Sequence, residues 1–240
     1  MLRVVIGTFA VLAGLAVPAG AGERPRAFIE LFTSQGCAAC PAADSLVDDL
    51  NDQEDILAVT MPVKLWDFLG WPDTLATDFA TKRQMTYSVA RGDRDVYTPQ
   101  MMLNGVDDLL GNDEKAIRAA IRKSAPEPLP VPIQLSVEQD ILHIEVGAPT
   151  ERTEEATLWL LVVDDKINVP VRGGENRGRK LTYYNVVRQM RPVGIFKGEP
   201  MALDLPLSDV EKAYDLGCFV IAQVDTFKGP GKIIGAGRLE

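Results

Sequence analysis

A single histidine, His143, and three cysteines are all that 240 residues offer to imidazole or thiolate chemistry. A zinc site takes about four such ligands, and no second C-x-x-C or nearby Cys/His pair supports the first; no metal is expected. A Ser/His/Asp triad, a phosphate-cradling glycine loop and an internal repeat are also missing. Positive charge is scarce: 25 Lys and Arg stand against 34 Asp and Glu, a formal net charge of −9. Proteins that track nucleic acid or lie on anionic membranes present a basic face, so this balance argues against both partners.

The apolar content, 46 % of the chain, is enough for a sizeable core in one or two domains. At the N-terminus Arg3 precedes an apolar run from Val4 to Val17, and Ala19-Gly20-Ala21 gives a small-x-small cleavage site. The run is short for a membrane span. Residues 1–21 read as a secretory signal, with a retained anchor as the alternative; no cysteine near the cleavage region offers a lipid attachment point. The mature chain is then expected to be periplasmic or secreted, without membrane insertion, in a compartment where a disulfide persists.

The informative stretch is Phe28 to Leu50. An apolar run, Phe28 to Phe32, has strand length and composition. Thr33 to Gly36 is a small polar loop, and after Cys37 and Cys40 a helical pattern places Leu46, Val47 and Leu50 on one face. A C-x-x-C at a strand-to-helix junction sits where unpaired amides and the helix dipole favour a thiolate. Cys37 is expected to be the more exposed nucleophile and Cys40 the resolving thiol. A structural bridge is the plainer reading, although closing so small a loop constrains the unfolded chain little.

Further along, Ile56 to Leu65 reads as a second strand. The segment Trp66-Asp67-Phe68-Leu69-Gly70-Trp71 supplies either packing aromatics or a lip over Cys37. Thr74 to Ala90 reads as a helix with Asp73 as N-cap, and Arg91-Gly92-Asp93 as a solvated turn. Thr98-Pro99 then leads into two apolar runs joined by Asn104-Gly105, a hairpin signal, followed by a helix after Gly111-Asn112-Asp113. This order implies a mixed sheet flanked by helices.

The strand-end C-x-x-C and the Thr-Pro opening the hairpin resemble the thioredoxin superfamily. That resemblance implies an α/β thioredoxin-like domain over residues 22–125, with Cys37 as nucleophile and Cys40 as resolver. It also implies a cis-proline at Pro99 and substrate contact through Thr98, with Gly36, Trp66 and Trp71 around it. The superfamily places a buried acid beneath the disulfide, a role open to Glu30. Three departures leave the redox direction open: Gly36 precedes Cys37, Ala38-Ala39 separate the cysteines, and Pro41 removes an amide from the first helical turn. More narrowly, the stretches around Phe32–Pro41, Trp66–Asp73, Val96–Gly105 and Gly174–Arg188 are similar to a family of secreted bacterial proteins catalogued as domain-of-unknown-function family 1223.

Residues 126–132, rich in proline, read as a stiff linker. Beyond it the pattern turns to period two, and roughly seven short strands over 133–240 suggest an all-β sandwich domain. His143 alternates within a strand as a surface residue. Cys218 reads as a buried thiol, or as a partner thiol for Cys40. Arg172 to Lys180 is a glycine- and arginine-rich loop. It is either a solvated connection or a secondary site in which Glu175, Asn176, Arg177 and Arg179 dock onto the first domain or bind an anionic group.

The expected activity is thiol–disulfide exchange with protein clients or a redox partner protein, without a bound cofactor. The alternative is a non-catalytic binding or assembly module holding a static Cys37–Cys40 disulfide.

Overall fold

β1 (Ala27–Thr33) is buried at every position, because it carries a different core on each face. The computed structural model describes residues 24–210 and 217–239; the segment read as a signal peptide lies outside them. On one face Ala27, Ile29 and Leu31 pack with α1 (Cys40–Asn51) and with Ile117 and Ile121 of α3 (Glu114–Ser124). On the other, Phe28 and Phe32 meet Ala80 and Tyr87 of α2 (Asp78–Arg91). Successive side chains of a strand alternate between faces, so a continuous apolar run is what a strand covered on both sides requires.

β2 (Ile56–Pro62) runs parallel to β1, and β3 (Gln100–Leu103) antiparallel to it, followed by β4 (Asp107–Leu110). The chain then adds β5 (Val131–Glu138), β6 (Ile141–Val146), β7 (Ala156–Pro170), β8 (Lys180–Phe196), β9 (Met201–Pro206), β10 (Gly217–Thr226) and β11 (Gly229–Arg238). The sequence predicts a separate sandwich here. Instead the strands join one mixed 11-stranded sheet, in the order β4-β3-β1-β2-β8-β7-β10-β11-β5-β6-β9. No separate sandwich domain is shown. The junction is β2 with β8: Thr60 pairs with Val186, Thr60 Oγ1 donates to Tyr184 O (2.6 Å), and Asn185 Nδ2 donates to Ala58 O (3.0 Å).

The two halves share a core. Phe219, Ile221 and Ile233 lie in the same cluster as Phe28, Phe32, Val59 and Met61. A second cluster joins Leu142 and Ile144 of β6 to Leu158 and Leu160 of β7, four strands away. These residues are fully buried, with Leu207 and Val210 of the short turn after β9 in the same cluster, so the sheet curls and largely covers itself. The proline-rich segment is tied down as well: Leu129 is buried in the shared core and its amide donates to Pro25 O (2.8 Å).

Asn104 and Gly105 form the β3–β4 turn, both with positive φ (49° and 72°). Asn104 also bonds four ways, to Phe28 N (2.7 Å), Phe28 O (2.9 Å), Arg26 O (3.1 Å) and Ile233 N (2.9 Å), pinning the turn between β1 and β11. A Cβ on Gly105 would drive into the Gly231 carbonyl oxygen. Gly105→Ala is therefore expected to lose at least about 1–2 kcal/mol from the left-handed backbone alone, with the clash added, read as a lower urea midpoint. An unchanged midpoint would show that the turn relaxes freely.

Elsewhere, Asp73 does not cap α2. Thr77 does, its hydroxyl accepting from Ala80 N, while Asp73 is held five residues upstream by the loop described below. No described helix is long and apolar enough to cross a membrane.

Candidate functional site

The end of β1 and the start of α1 are joined by Ser34-Gln35-Gly36 and the two cysteines. Cys37 and Cys40 form a disulfide, with Cα atoms 5.4 Å apart. Cys40 is the first residue of α1 and is fully buried; Cys37 keeps 4 % exposure and Ala38 and Ala39 are exposed. So Cys37 is the outer sulfur of the pair.

The loop is held from below. Gln35 is fully buried; its amide donates to Asp73 Oδ2 (2.7 Å), and its side chain meets Trp71 Nε1 (2.8 Å) and Thr74 Oγ1 (3.0 Å). Asp73 Oδ1 also accepts from Leu75 N (2.8 Å) and Ala76 N (3.1 Å). Desolvation raises the Asp73 pKa despite these donors. From the side, Trp66 Nε1 donates to Thr98 Oγ1 (2.7 Å), and its Cβ would sit 3.0 Å from a Cβ on Gly36. Thr98–Pro99 is a cis peptide, and Cys37 Sγ lies 3.6 Å from Thr98 O. Trp66, Thr98, Pro99 and Gly36 thus surround Cys37, whereas Trp71 acts one step back, on Gln35. Phe68 leans on Trp66 at 6.0 Å and is 75 % exposed.

From above, the site is covered by the loop read as a secondary site. β7 and β8 form a long hairpin whose last pair is Pro170 with Lys180, and residues 171–179 make its tip. The charged stretches 164–166 and 188–191 break the apolar alternation, which is why the sequence reads as shorter strands. The tip lies on the cysteine loop. Asn176, 1 % exposed, donates through Nδ2 to Gln35 O (3.0 Å) and Cys37 O (2.8 Å), and its Oδ1 accepts from Arg179 Nη1 (2.9 Å). Glu175 Oε2 accepts from Ala38 N (3.1 Å). Gly174 packs against the Gly36 backbone, where a Cβ would stand 3.4 Å from its Cα. Arg177 is exposed on the strap, its amide on Gly174 O. The structure thus brings the residues of the two predicted sites together.

Glu30 does not lie beneath the disulfide. It faces α2, on the other side of β1, where Arg83 Nη2 (3.0 Å) and Nε, and the Tyr87 hydroxyl (2.6 Å), bind its carboxylate; Arg83 also reaches Gln223 Oε1 (2.9 Å). The acid near the cysteines is Asp44, four residues beyond Cys40 and so on the same face of α1. It is 1 % exposed; Oδ1 accepts from Thr33 Oγ1 (2.6 Å) and Oδ2 has no partner. Burial raises its pKa well above the ordinary carboxyl range, against the Thr33 hydrogen bond, and Asp73 adds to the rise. The Tyr183 hydroxyl, from β8, is also buried without a partner and is held protonated by burial, with Asp44 and Asp73 adding. The sequence holds a signal for Asp44: it interrupts the face Cys40, Ala43, Val47 with a charge.

Cys218 is buried and free, its pKa pushed up to about 11 by burial and by Asp165, so it is an inert thiol. His143 is partly exposed on β6, with Nδ1 2.7 Å from Asp204 Oδ1. Among the described residues no three of His, Cys, Asp and Glu are grouped to hold a metal ion.

No curated protein matches the chain. Among solved structures it is similar to a structural-genomics crystal structure from Agrobacterium tumefaciens. The two share 34 % identity with a TM-score of 0.79, over 90 % of this chain and 95 % of that one. Residues 28–223 match the family described as "Protein of unknown function (DUF1223)". A match over most of the length, with a C-x-x-C disulfide at the start of α1, means that the chain belongs to the DUF1223 family.

Proposed function

We propose that the protein is a thioredoxin-like thiol–disulfide exchange protein acting on protein clients in the periplasm or outside the cell. The observation that carries the reading is Asp44. A static disulfide has no use for a buried carboxyl with an unpartnered oxygen, a group that costs stability. A resolving thiol next to it does, since Cys40 must lose a proton to attack. The order β1-α1-β2-α2-β3-β4-α3, with neighbours β4-β3-β1-β2, supports the thioredoxin-like reading of the first half. So does the placement of Thr98-Pro99 beside Cys37.

In the reducing direction the Cys37 thiolate attacks one sulfur of a client disulfide and forms a mixed disulfide, releasing the client's other sulfur as a thiolate. Cys40 gives its proton to Asp44 and attacks Cys37 Sγ. The client leaves as a dithiol and the Cys37–Cys40 disulfide remains; the oxidising direction is the reverse. Two electrons pass between the dithiols, so the exchange needs no bound cofactor. Thr98 and the Trp66–Phe68 pair form the wall against which a client segment would lie.

The rival, a binding module with a static disulfide, draws on the 4 % exposure of Cys37 beneath the strap. A glutathione redox titration, read by alkylation of Cys37 and Cys40, separates the two. Exchange predicts a potential between about −120 and −270 mV. A value below about −300 mV, with Cys37 resistant to alkylation, would mean a structural bridge and end the exchange reading.

A further inference from the structure

A cysteine at a helix start is usually acidified by the free amides there and by the helix dipole. This site is short of those amides. Pro41 has none, Cys40 N points to Cys37 O (3.3 Å), and Ala38 N is taken by the Glu175 carboxylate (3.1 Å). The last of these is the unusual one. It removes a donor next to Cys37 and brings in a negative charge one residue from the sulfur. The carboxylate is held there by design of the strap: Asn176, the next residue, is anchored on Gln35 O and Cys37 O and braced by Arg179.

We propose that Glu175 is a tuning residue that keeps the Cys37 thiol weakly acidic, so that the hairpin tip sets the nucleophile's reactivity from outside the α/β half. The proposal rests on the exchange reading of Cys37. The other titratable groups around the pair are Asp44 on α1, Asp73 on the loop below, Tyr183 on β8 and Arg179 on the strap. Asp44 and Asp73 lie on the buried side, while Arg179 is an exposed strap residue that reaches in to Asn176 Oδ1. Glu175 alone of these bonds an amide between the cysteines, at the solvent side. With the strap in place the thiolate is scarce; a client or partner that lifts the tip would free Ala38 N and remove the charge together.

The test uses the reduced full mature protein and follows the ultraviolet absorbance of the Cys37 thiolate against pH. Glu175→Gln keeps an oxygen for Ala38 N and deletes the charge. It is expected to show about three- to tenfold more thiolate at neutral pH, the scale of one charge removed at a partly exposed site. Glu175→Asp, which keeps the charge, should stay close to the parent. Raising salt should increase the parent's thiolate fraction and leave Glu175→Gln nearly unmoved, a response that a purely structural role would not produce. A titration curve for Glu175→Gln that overlays the parent, with glutathione exchange intact in both, overturns this proposal alone. A parent disulfide that glutathione does not touch overturns the exchange reading instead, whatever Glu175 does.

Discussion

Arg83→Ala is expected to destabilise the protein by about 3–5 kcal/mol, the range for removing one partner of a buried ion pair. Glu30 is fully buried in β1 and Arg83 is 9 % exposed, so neither charge has water to fall back on. The guanidinium binds both carboxylate oxygens of Glu30 and also the Tyr87 hydroxyl (2.9 Å) and Gln223 Oε1 (2.9 Å). Alanine would leave Glu30 charged in an apolar layer, with Tyr87 as its one remaining close donor. The same network joins α2 and β1 to β10, so its loss weakens the contact between the halves as well as each half. Chemical denaturation should show the midpoint falling sharply. The double variant Glu30→Leu/Arg83→Met, which removes both charges at similar volume, should recover a good part of the loss. A cost below about 1 kcal/mol, the scale of a surface pair, would show that the pair is not structural.

Asp44→Asn is expected to make the protein more stable at pH 8, by about 1–3 kcal/mol, while slowing exchange. The stability gain follows from the sign of the Asp44 shift. Burial raises its pKa in the folded state above the unfolded value of about 4. Its favourable contribution is therefore complete below the unfolded value and is lost as pH rises through the folded one. The parent bears that cost at neutral and alkaline pH; asparagine, neutral throughout, does not, and the gain is the excess cost of an unsatisfied buried charge over an unsatisfied neutral group. The two proteins should converge below about pH 4. Exchange should move the other way. Without a carboxylate to take the Cys40 proton, mixed disulfides should resolve about a hundredfold more slowly, the lower end of the contribution of one positioned general base. A pH-independent stability difference would show that Asp44 does not titrate in the folded protein. Unchanged resolution would remove it from the chemistry.

The features most legible in the sequence are those written in local pattern. The unbroken apolar run of β1, the small polar loop after it and the Asn104-Gly105 turn each dictate a backbone conformation within a few residues. Partner choice is not written that way. A period-two pattern says which side chains share a face, but not that Thr60 of β2 pairs with Val186 of β8, so seven strands read equally well as a separate sandwich. The strap was half legible. Its glycines and arginines marked 172–180 as unusual, yet only the length of β7 and β8 brings Glu175 and Asn176 to Cys37. Glu30 and Asp44 show the same limit: both are acids in apolar surroundings, and which one lies by the disulfide depends on the pleat of β1 and the turn of α1.

The hairpin length matters in one more way. Strand residues advance about 3.3 Å each, and β7 and β8 continue well past their contact with β2 before turning at residues 171–179. The two strands therefore act as a ruler fixed at one end in the curled sheet and read at the other by the cysteine loop. One residue pair more or fewer would carry the tip about 3 Å along, beyond the reach of a hydrogen bond. A change at the far end of the sheet would thus leave the tip in place, whereas the count of residues between β2 and the tip decides whether Glu175 and Asn176 reach the cysteine loop.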